Sequence, residues 1–588
     1  MTAPTLQTMW SAMTARPAAD FLVLPDGRFS FGDLHAAVQQ WLTAFDAHAV
    51  APGDRIVIRT GDERAATSAF LAALLDGAVP VLLSAETPDH RVQSLCETVE
   101  AKLLVVDDPC AMDGALPAVI RLATVAPKRF GFGRAAALPG LAFAAASRPP
   151  RLPLDPEGLA YLLFTSGTTA APSGVCINRR NMFANLATIS RVFGIDSGAR
   201  VFNDMIIAHA DGLIQGLLLA AFNGCAMIRS GGFQLGQIEA WLNRVRTTRA
   251  THVITVPTIW AMIDGYAEHD DYFDAPECRA LMSVAAKLPE PLWQRLETRF
   301  KRPVFNQYGL TETVTSALYA GPHAEMGAFG TVGKPIDCEA RIDPEAEGAG
   351  ELQLRGDNVF SGYWRNPERT AASFADGGWF RTGDLAQLRA DGSFEILGRL
   401  KSVIMSGGFL IHPDEVDEAM LRHPLIQESV TLGMPDDMFG EVPVTAVVVR
   451  APVDETTLAE HVRAYIEPRK VPKRIIAFDA IPRGDSGKAR LGALRELLEQ
   501  ALAGGEPDRS SDATQEAVVA AAADVFRVAP ALLSMRTAQG DVPGWDSFAQ
   551  ISLVMTVERS LGVRIPASRI VAIRSLGDLV RIVEDLRR

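Results

Sequence analysis

Residues 163–175 read Leu-Phe-Thr-Ser-Gly-Thr-Thr-Ala-Ala-Pro-Ser-Gly-Val. An apolar run, Leu159 to Phe164, reads as a strand that feeds into Thr165, Ser166, Gly167, Thr168 and Thr169. Small hydroxyl side chains around a glycine let O–H and backbone N–H groups converge on one anion, and Gly167 lacks the Cβ that would block close approach. Such a loop after a strand predicts a phosphate cradle. The Gly-Lys-Ser/Thr ending of the P-loop is missing, so the cradle is of another type. Further along, Gly484-Asp485-Ser486-Gly487-Lys488 is a flexible loop that carries a cation at its end. Together these residues suit the handling of anions whose charge grows during a reaction.

The segments between them arrive in a definite order: Asn306-Gln307-Tyr308-Gly309-Leu310-Thr311-Glu312, then Gly378-Trp379-Phe380-Arg381-Thr382-Gly383-Asp384-Leu385, then Gly398-Arg399-Leu400-Lys401, then Pro482 to Lys488. This order and spacing resembles the ANL adenylate-forming superfamily, which includes acyl- and aryl-CoA synthetases, adenylation domains of nonribosomal peptide synthetases, and beetle luciferases. The resemblance covers roughly residues 10–500. It implies ATP-dependent conversion of a carboxylate to an acyl-adenylate and pyrophosphate, with ATP and Mg²⁺ as cofactors. By that resemblance Thr165, Ser166, Gly167, Thr168 and Thr169 hold the β- and γ-phosphates and Tyr308 stacks on adenine. Thr311 contacts the α-phosphate, and Glu312 holds Mg²⁺, a hard cation that prefers carboxylate oxygen. Asp384 accepts from the ribose hydroxyls, Arg399 reaches the ribose or phosphate region, and Lys488 bridges the substrate carboxylate and the α-phosphate. The family usually has lysine where Ser173 stands, so one positive charge near the triphosphate is missing.

The same resemblance implies a second step, transfer of the acyl group to a thiol. For it the C-terminal part swings about Lys401, withdrawing Lys488 and bringing Ser406-Gly407-Gly408-Phe409 to a pantetheine tunnel. For the acid, His209-Ala210-Asp211-Gly212 resembles acyl- and aryl-CoA synthetases. Amino-acid-activating domains usually place Phe-Asp there, so a small acid without an α-amino group is expected. His209 either contacts the acid or is a packed gate residue. Asp211 either caps the helix starting at Gly212 or binds a cationic or hydroxyl group of the substrate. Trp260 is expected to wall the pocket and favour a small acid.

The elements that must position these residues read as α/β. Arg55–Ile58, Ala65–Leu75 and Val79–Leu83 form a strand–helix–strand unit, Lys102–Val106 adds a strand, and the alternation recurs at 200–305. This implies parallel-type sheets flanked by helices. Residues 330–400 carry short strands and turns, a β-rich subdomain. The expected organisation is a large N-terminal part over 1–398, a small mobile α+β part over 399–502, a linker over 503–511 and an all-α module over 512–588. The linker follows from Ala503-Gly504-Gly505-Glu506-Pro507 and the residues after it. In the last module Asp546-Ser547 at a helix start resembles the attachment site of acyl and peptidyl carrier proteins. A four-helix carrier bearing 4′-phosphopantetheine on Ser547 is implied; the simpler alternative is that Asp546 or Ser547 caps the helix.

Composition narrows the classes. At 588 residues the chain holds more than one domain. A net charge of −13 without a basic tract argues against nucleic acid. Six cysteines lack a CxxC pair, so a reducing, cytoplasmic setting without structural zinc is expected. The stretch Leu213 to Ile228 is short for a bilayer and reads as a buried helix and strand, and no signal peptide is apparent. The expected function is therefore a ligase that activates a small carboxylic acid and loads its own carrier in secondary-metabolite assembly. Its partners are a phosphopantetheinyl transferase and a downstream acyl-accepting enzyme, with no membrane and no nucleic acid. The alternatives are an acyl-CoA synthetase releasing a free CoA thioester, or an adenylation-dead scaffold.

Overall fold

The computed structural model describes residues 4–108, 117–123, 148–165, 173–233, 235–286, 288, 290–323, 326–344, 348–400, 404–407, 409–411, 413–436, 438–451, 453–478, 481–482, 491–503, 513–526, 528, 530, 533–539, 541–542, 545, 547–561, 563–570 and 573–587. Two large sheets form the N-terminal part. The first has seven strands in the order Gly362–Tyr363, Ser173–Asn178, Leu159–Thr165, Val79–Leu82, Arg55–Arg59, Ala101–Asp108, Ala118–Ala123. The expected strand–helix–strand unit lies at its centre, with Arg55–Arg59 parallel to Val79–Leu82. Its helix, Glu63–Asp76, is buried from Ala65 to Asp76. A helix apolar on every side must be enclosed on every side, and its alanines allow close packing. Gly77, at φ 85°, ends it in the left-handed region that favours glycine.

The second sheet has nine strands: Lys334–Pro335, Leu318–Ala320, Val304–Tyr308, Ala280–Ser283, His252–Thr255, Arg200–Asn203, Ala226–Ile228, Asp20–Leu24 and Gly27–Ser30. Both sheets depart from the expected parallel type. Ser173–Asn178 runs antiparallel to Leu159–Thr165, and Leu318–Ala320 runs antiparallel to Val304–Tyr308. The sheets are mixed because the chain turns straight back after these strands instead of crossing over through a helix. Both reversals sit where the motif residues are. The stretch from Leu213 is also less regular than expected: Leu213–Leu218 is a π-helix, followed by helix Leu219–Asn223 and strand Ala226–Ile228. No helix among the described residues is long and apolar enough to cross a membrane. The described cysteines, 96, 176, 225, 278 and 338, are all free.

The β-rich part is a five-stranded antiparallel sheet that includes Gly350–Arg355, Trp379–Leu388 and Phe394–Arg399. Another sheet follows, built on the long pair Ile426–Asp436 and Gly440–Val449, with the hairpin Ile404–Ser406/Phe409–Ile411 at one edge. The last segment contains helices Ala513–Phe526, Ser547–Leu561, Ala567–Ile570 and Leu576–Arg587. It rests on the large part, where Arg564 Nη2 donates to Gly265 O at 3.3 Å and Tyr266 Oη donates to Glu558 Oε2 at 3.5 Å.

Candidate active site

Two of the sequence motifs meet through Tyr308 and Asp384. Tyr308 is the last residue of Val304–Tyr308. Its hydroxyl donates to Asp384 Oδ2 on strand Trp379–Leu388, joining residues 76 positions apart. Asp384 is 3% exposed, and its backbone N–H donates to Thr382 Oγ1 (3.1 Å). Arg399 faces Asp384 in the strand register. Thr311 and Glu312 lie half-buried in a single 3-10 turn, Thr311–Thr313, directly after Tyr308. Glu312 Oε1 accepts from Tyr363 Oη at 2.7 Å. Its other carboxylate oxygen has no protein partner among the described residues. That fits a hard cation shared between one carboxylate and substrate oxygens, and no cluster of three ligating side chains exists among the described residues to hold it alone.

The turn ends in a strained residue. Val314 has φ 68° and ψ −60°, and Thr315 N donates to Thr313 O at 2.8 Å, which makes a γ-turn of the rare hand. A β-branched residue in this region stores strain of roughly 1–3 kcal/mol. The turn aims Thr315 Oγ1 at Asp211 Oδ1, 2.7 Å away.

Asp211 thus belongs to a side-chain network rather than a cap. Gln215 Nε2 donates to Asp211 Oδ1 (3.0 Å), Gln307 Nε2 to Gln215 Oε1 (3.1 Å), and Ser316 Oγ to Gln307 Oε1 (2.8 Å). His209, not Asp211, stands at the position before helix Ala210–Gly212, and it makes no side-chain cap there. Burial raises the Asp211 pKa against the pull of its hydrogen bonds to Thr315 and Gln215. Gly212 is buried, with the Ile206 carbonyl oxygen 2.2 Å from where a Cβ would stand. Arg229 fixes the chain leading here. It donates to the carbonyls of Asn203 and Met205, both at 2.6 Å, and pairs with Glu63 at 2.8 Å.

The His209 residue is exposed, although neighbouring protein crowds its ring. That crowding, and then the positive field of Arg469, holds its pKa below the ordinary value, while Glu467 opposes. This lowering favours the neutral imidazole. Trp260 does not stand as the expected pocket wall. It is 0% exposed, its Nε1 donates to Met282 O at 3.3 Å, and Phe273 packs on it edge-on. The ring is packed in the core beside Phe273.

Arg469 belongs to the C-terminal part and lies near enough to His209 to act on it electrostatically. Its guanidinium lies over the Phe409 ring (4.5 Å) and donates to Glu86 (3.1 Å). Nearby, Glu415 pairs with Arg91 (2.8 Å) and with Lys470 (3.0 Å). Gly407, at φ 56°, makes the hairpin turn, and its N–H donates to Phe439 O at 2.9 Å. Ser166, Gly167, Thr168, Thr169, Lys401, Gly408 and Lys488 lie outside the described residues, as do the side chains of Thr165, Arg399 and Ser547. The residues that sequence reading missed are Tyr363, Gln215, Gln307, Thr315 and Arg469. Each is an ordinary polar or aromatic residue whose role comes only from a distant partner.

Residues 9–364 match the family model described as AMP-binding enzyme, and 415–488 match the AMP-binding enzyme C-terminal domain. The sulfoacetate–CoA ligase of Cupriavidus necator is 34% identical over 363 residues, 60% of this chain and about two thirds (69%) of that protein. The 2-succinylbenzoate–CoA ligase of Bacillus velezensis is 28% identical over 509 residues, 85% of this chain and 99% of that one. Among solved structures, o-succinylbenzoate CoA synthetase from Bacillus subtilis, bound to a product analogue, superposes with a TM-score of 0.73 at 24% identity, covering 84% and 99% of the two chains.

Proposed function

Because this chain belongs to the AMP-binding enzyme family, and is thus an AMP-forming acid–thiol ligase, we propose that it adenylates a small carboxylic acid and passes the acyl group to a 4′-phosphopantetheine arm on its own Ser547. The observation that carries the first half is the Tyr308–Asp384 hydrogen bond, which joins the motif carrying Thr311 and Glu312 in the turn after Tyr308 to the motif carrying Asp384. In this reading Tyr308 offers its ring to adenine and Asp384 accepts from the ribose. Glu312 would hold Mg²⁺, which when bound neutralises phosphate charge. The acid carboxylate attacks the α-phosphorus, pyrophosphate leaves, and Lys488 balances the charge between the reacting groups.

In this reading the acid lies beside His209. Asp211 Oδ1 is held by Thr315 and Gln215, which fixes the carboxylate in place. The preference for an acid without an α-amine rests on the resemblance of His209-Ala210-Asp211-Gly212 to acyl- and aryl-CoA synthetases. Acids with a second acidic group come first for testing, since the relatives named for sulfoacetate and 2-succinylbenzoate act on such acids.

For the second half, the helix opening at Ser547 is held from below. Trp545 Nε1 donates to Gln550 Oε1 (2.8 Å), Gln550 Nε2 donates to Ile570 O (3.0 Å), and the Trp545 ring lies 4.5 Å from Phe526. This supports a rigid platform for a modified serine. Release of a free CoA thioester is the second reading, favoured because these relatives are CoA ligases. The deciding experiment is intact-mass spectrometry after phosphopantetheinyl transferase and CoA, then ATP, Mg²⁺ and a panel of small acids. An ATP-dependent acyl increment on the protein supports loading in cis. Pyrophosphate release with only soluble acyl-CoA as product would select the second reading.

The Arg91–Glu415 pair ties the C-terminal part to the large part in this arrangement, with Arg469 near enough to His209 to act on it electrostatically. Arg91→Ala leaves Glu415 paired with Lys470, so the fold is expected to survive. Acyl transfer from a supplied acyl-adenylate should slow by about three- to tenfold, given partial solvent screening of the pair, with adenylate formation unchanged. Burial raises the Glu415 carboxyl, but Lys470 and Arg91 outweigh it and leave its pKa lowered. The link is therefore complete above the usual carboxylate range and is lost as pH falls through the lowered value. Stopped-flow transfer rates against pH check both statements. A variant slowed equally in both steps would contradict them.

A further inference from the structure

We propose that Arg369 is a nucleotide-binding residue that supplies the positive charge for the β,γ-phosphate end of ATP, the charge that Ser173 cannot provide. The inference rests on the adenylation reading above and adds to it a residue from outside its motifs. Thr165 and Ser173 face each other in the antiparallel pair that leads into and out of residues 166–172. The Arg369 guanidinium donates to Ser173 Oγ, across 196 residues of sequence. The same guanidinium lies over the Tyr363 ring, 4.1 Å from its centroid, and the Tyr363 hydroxyl donates to Glu312. Arg369 thus links the end of the phosphate-loop strands to the carboxylate assigned to Mg²⁺.

Two further observations mark it as a binding cation rather than a structural one. Neighbouring arginines are neutralised: Arg365 pairs with Glu100, Arg355 with Glu339 and Arg381 with Glu351. Arg369 pairs with no carboxylate among the described residues; its guanidinium has a hydroxyl and a ring face, neither of which cancels its charge. It is also held in place beforehand. The Asn366 side chain accepts from Arg369 N (2.9 Å), and Thr370 Oγ1 accepts from Tyr363 N (2.9 Å). A half-buried, positioned and uncompensated guanidinium matches a polyphosphate better than a lone surface arginine would.

The test is calorimetric titration of the full-length protein with MgATP and, separately, with AMP. Arg369→Ala should weaken MgATP binding by about tenfold to a hundredfold and leave AMP, which lacks the β- and γ-phosphates, bound as before. Adding Ser173→Lys to that variant should restore most of the MgATP affinity. Arg369→Gln keeps the stem without the charge and answers the same question if the alanine variant fails to fold. Unchanged MgATP affinity, equal losses for MgATP and AMP, or a lysine at 173 that restores nothing would each overturn the proposal. A wild-type protein that binds no MgATP would bring down the adenylation reading itself, before any variant is compared.

Discussion

Lys488→Ala is expected to slow adenylate formation by about a hundredfold to a thousandfold, the usual effect of removing one aligned donor from a developing charge. Transfer from a supplied acyl-adenylate should continue. The reasoning is electrostatic. A carboxylate and a triphosphate repel, and the two motifs bring hydroxyls and carboxylates through Tyr308, Thr311, Glu312 and Asp384 but no positive charge from those four residues. A lysine on a Gly-rich loop can enter for one step and leave for the next. Single-turnover assays that follow pyrophosphate release and thioester formation separately check it. Equal loss in both steps would remove Lys488 from its assigned role.

Ser547→Ala is expected to abolish the phosphopantetheine adduct completely, and with it every acyl increment on the protein, while pyrophosphate release continues. The local structure makes the variant informative. Trp545, Gln550 and Phe526 hold the start of the helix through contacts of their own. If Ser547 only capped the helix, alanine would cost about 0.5–2 kcal/mol. It would lower the melting temperature of the module and leave product formation intact. Intact mass and a thermal melt of the same sample separate the two roles. An adduct that survives the substitution would place the modification elsewhere.

Much of the fold was legible because local pattern carries it. The unit at 55–83 and the strands at 102–106 and 252–256 were readable from apolar runs and their spacing, since a strand buried on both faces needs such a run. The strand reversals at Thr165/Ser173 and Tyr308/Leu318 were not, because a hydrophobic run looks the same in either direction. The π-helix at Leu213–Leu218 was also hidden: a stretch buried on all sides has no polar face to betray its period. Trp260 was misplaced for a related reason. A large aromatic after a strand can face the cavity or the core, and only the packing of Phe273 and Met282 decides.

The sequence by itself offered the candidates: Tyr308, Thr311, Glu312, Asp384 and Lys488, in an order that resembles adenylate-forming enzymes, and Ser547 as the proposed attachment site. These residues carry their signal in contiguous motifs, where neighbours in the chain are neighbours in the site. Tertiary structure alone decided what surrounds them. Arg369 meets Ser173, Asp211 meets Thr315, and Arg91 meets Glu415 across separations of 196, 104 and 324 residues. Such pairs obey no local spacing rule, because a hydrogen bond or an ion pair depends on distance in space, and that distance is set by the sheets and the turns between them.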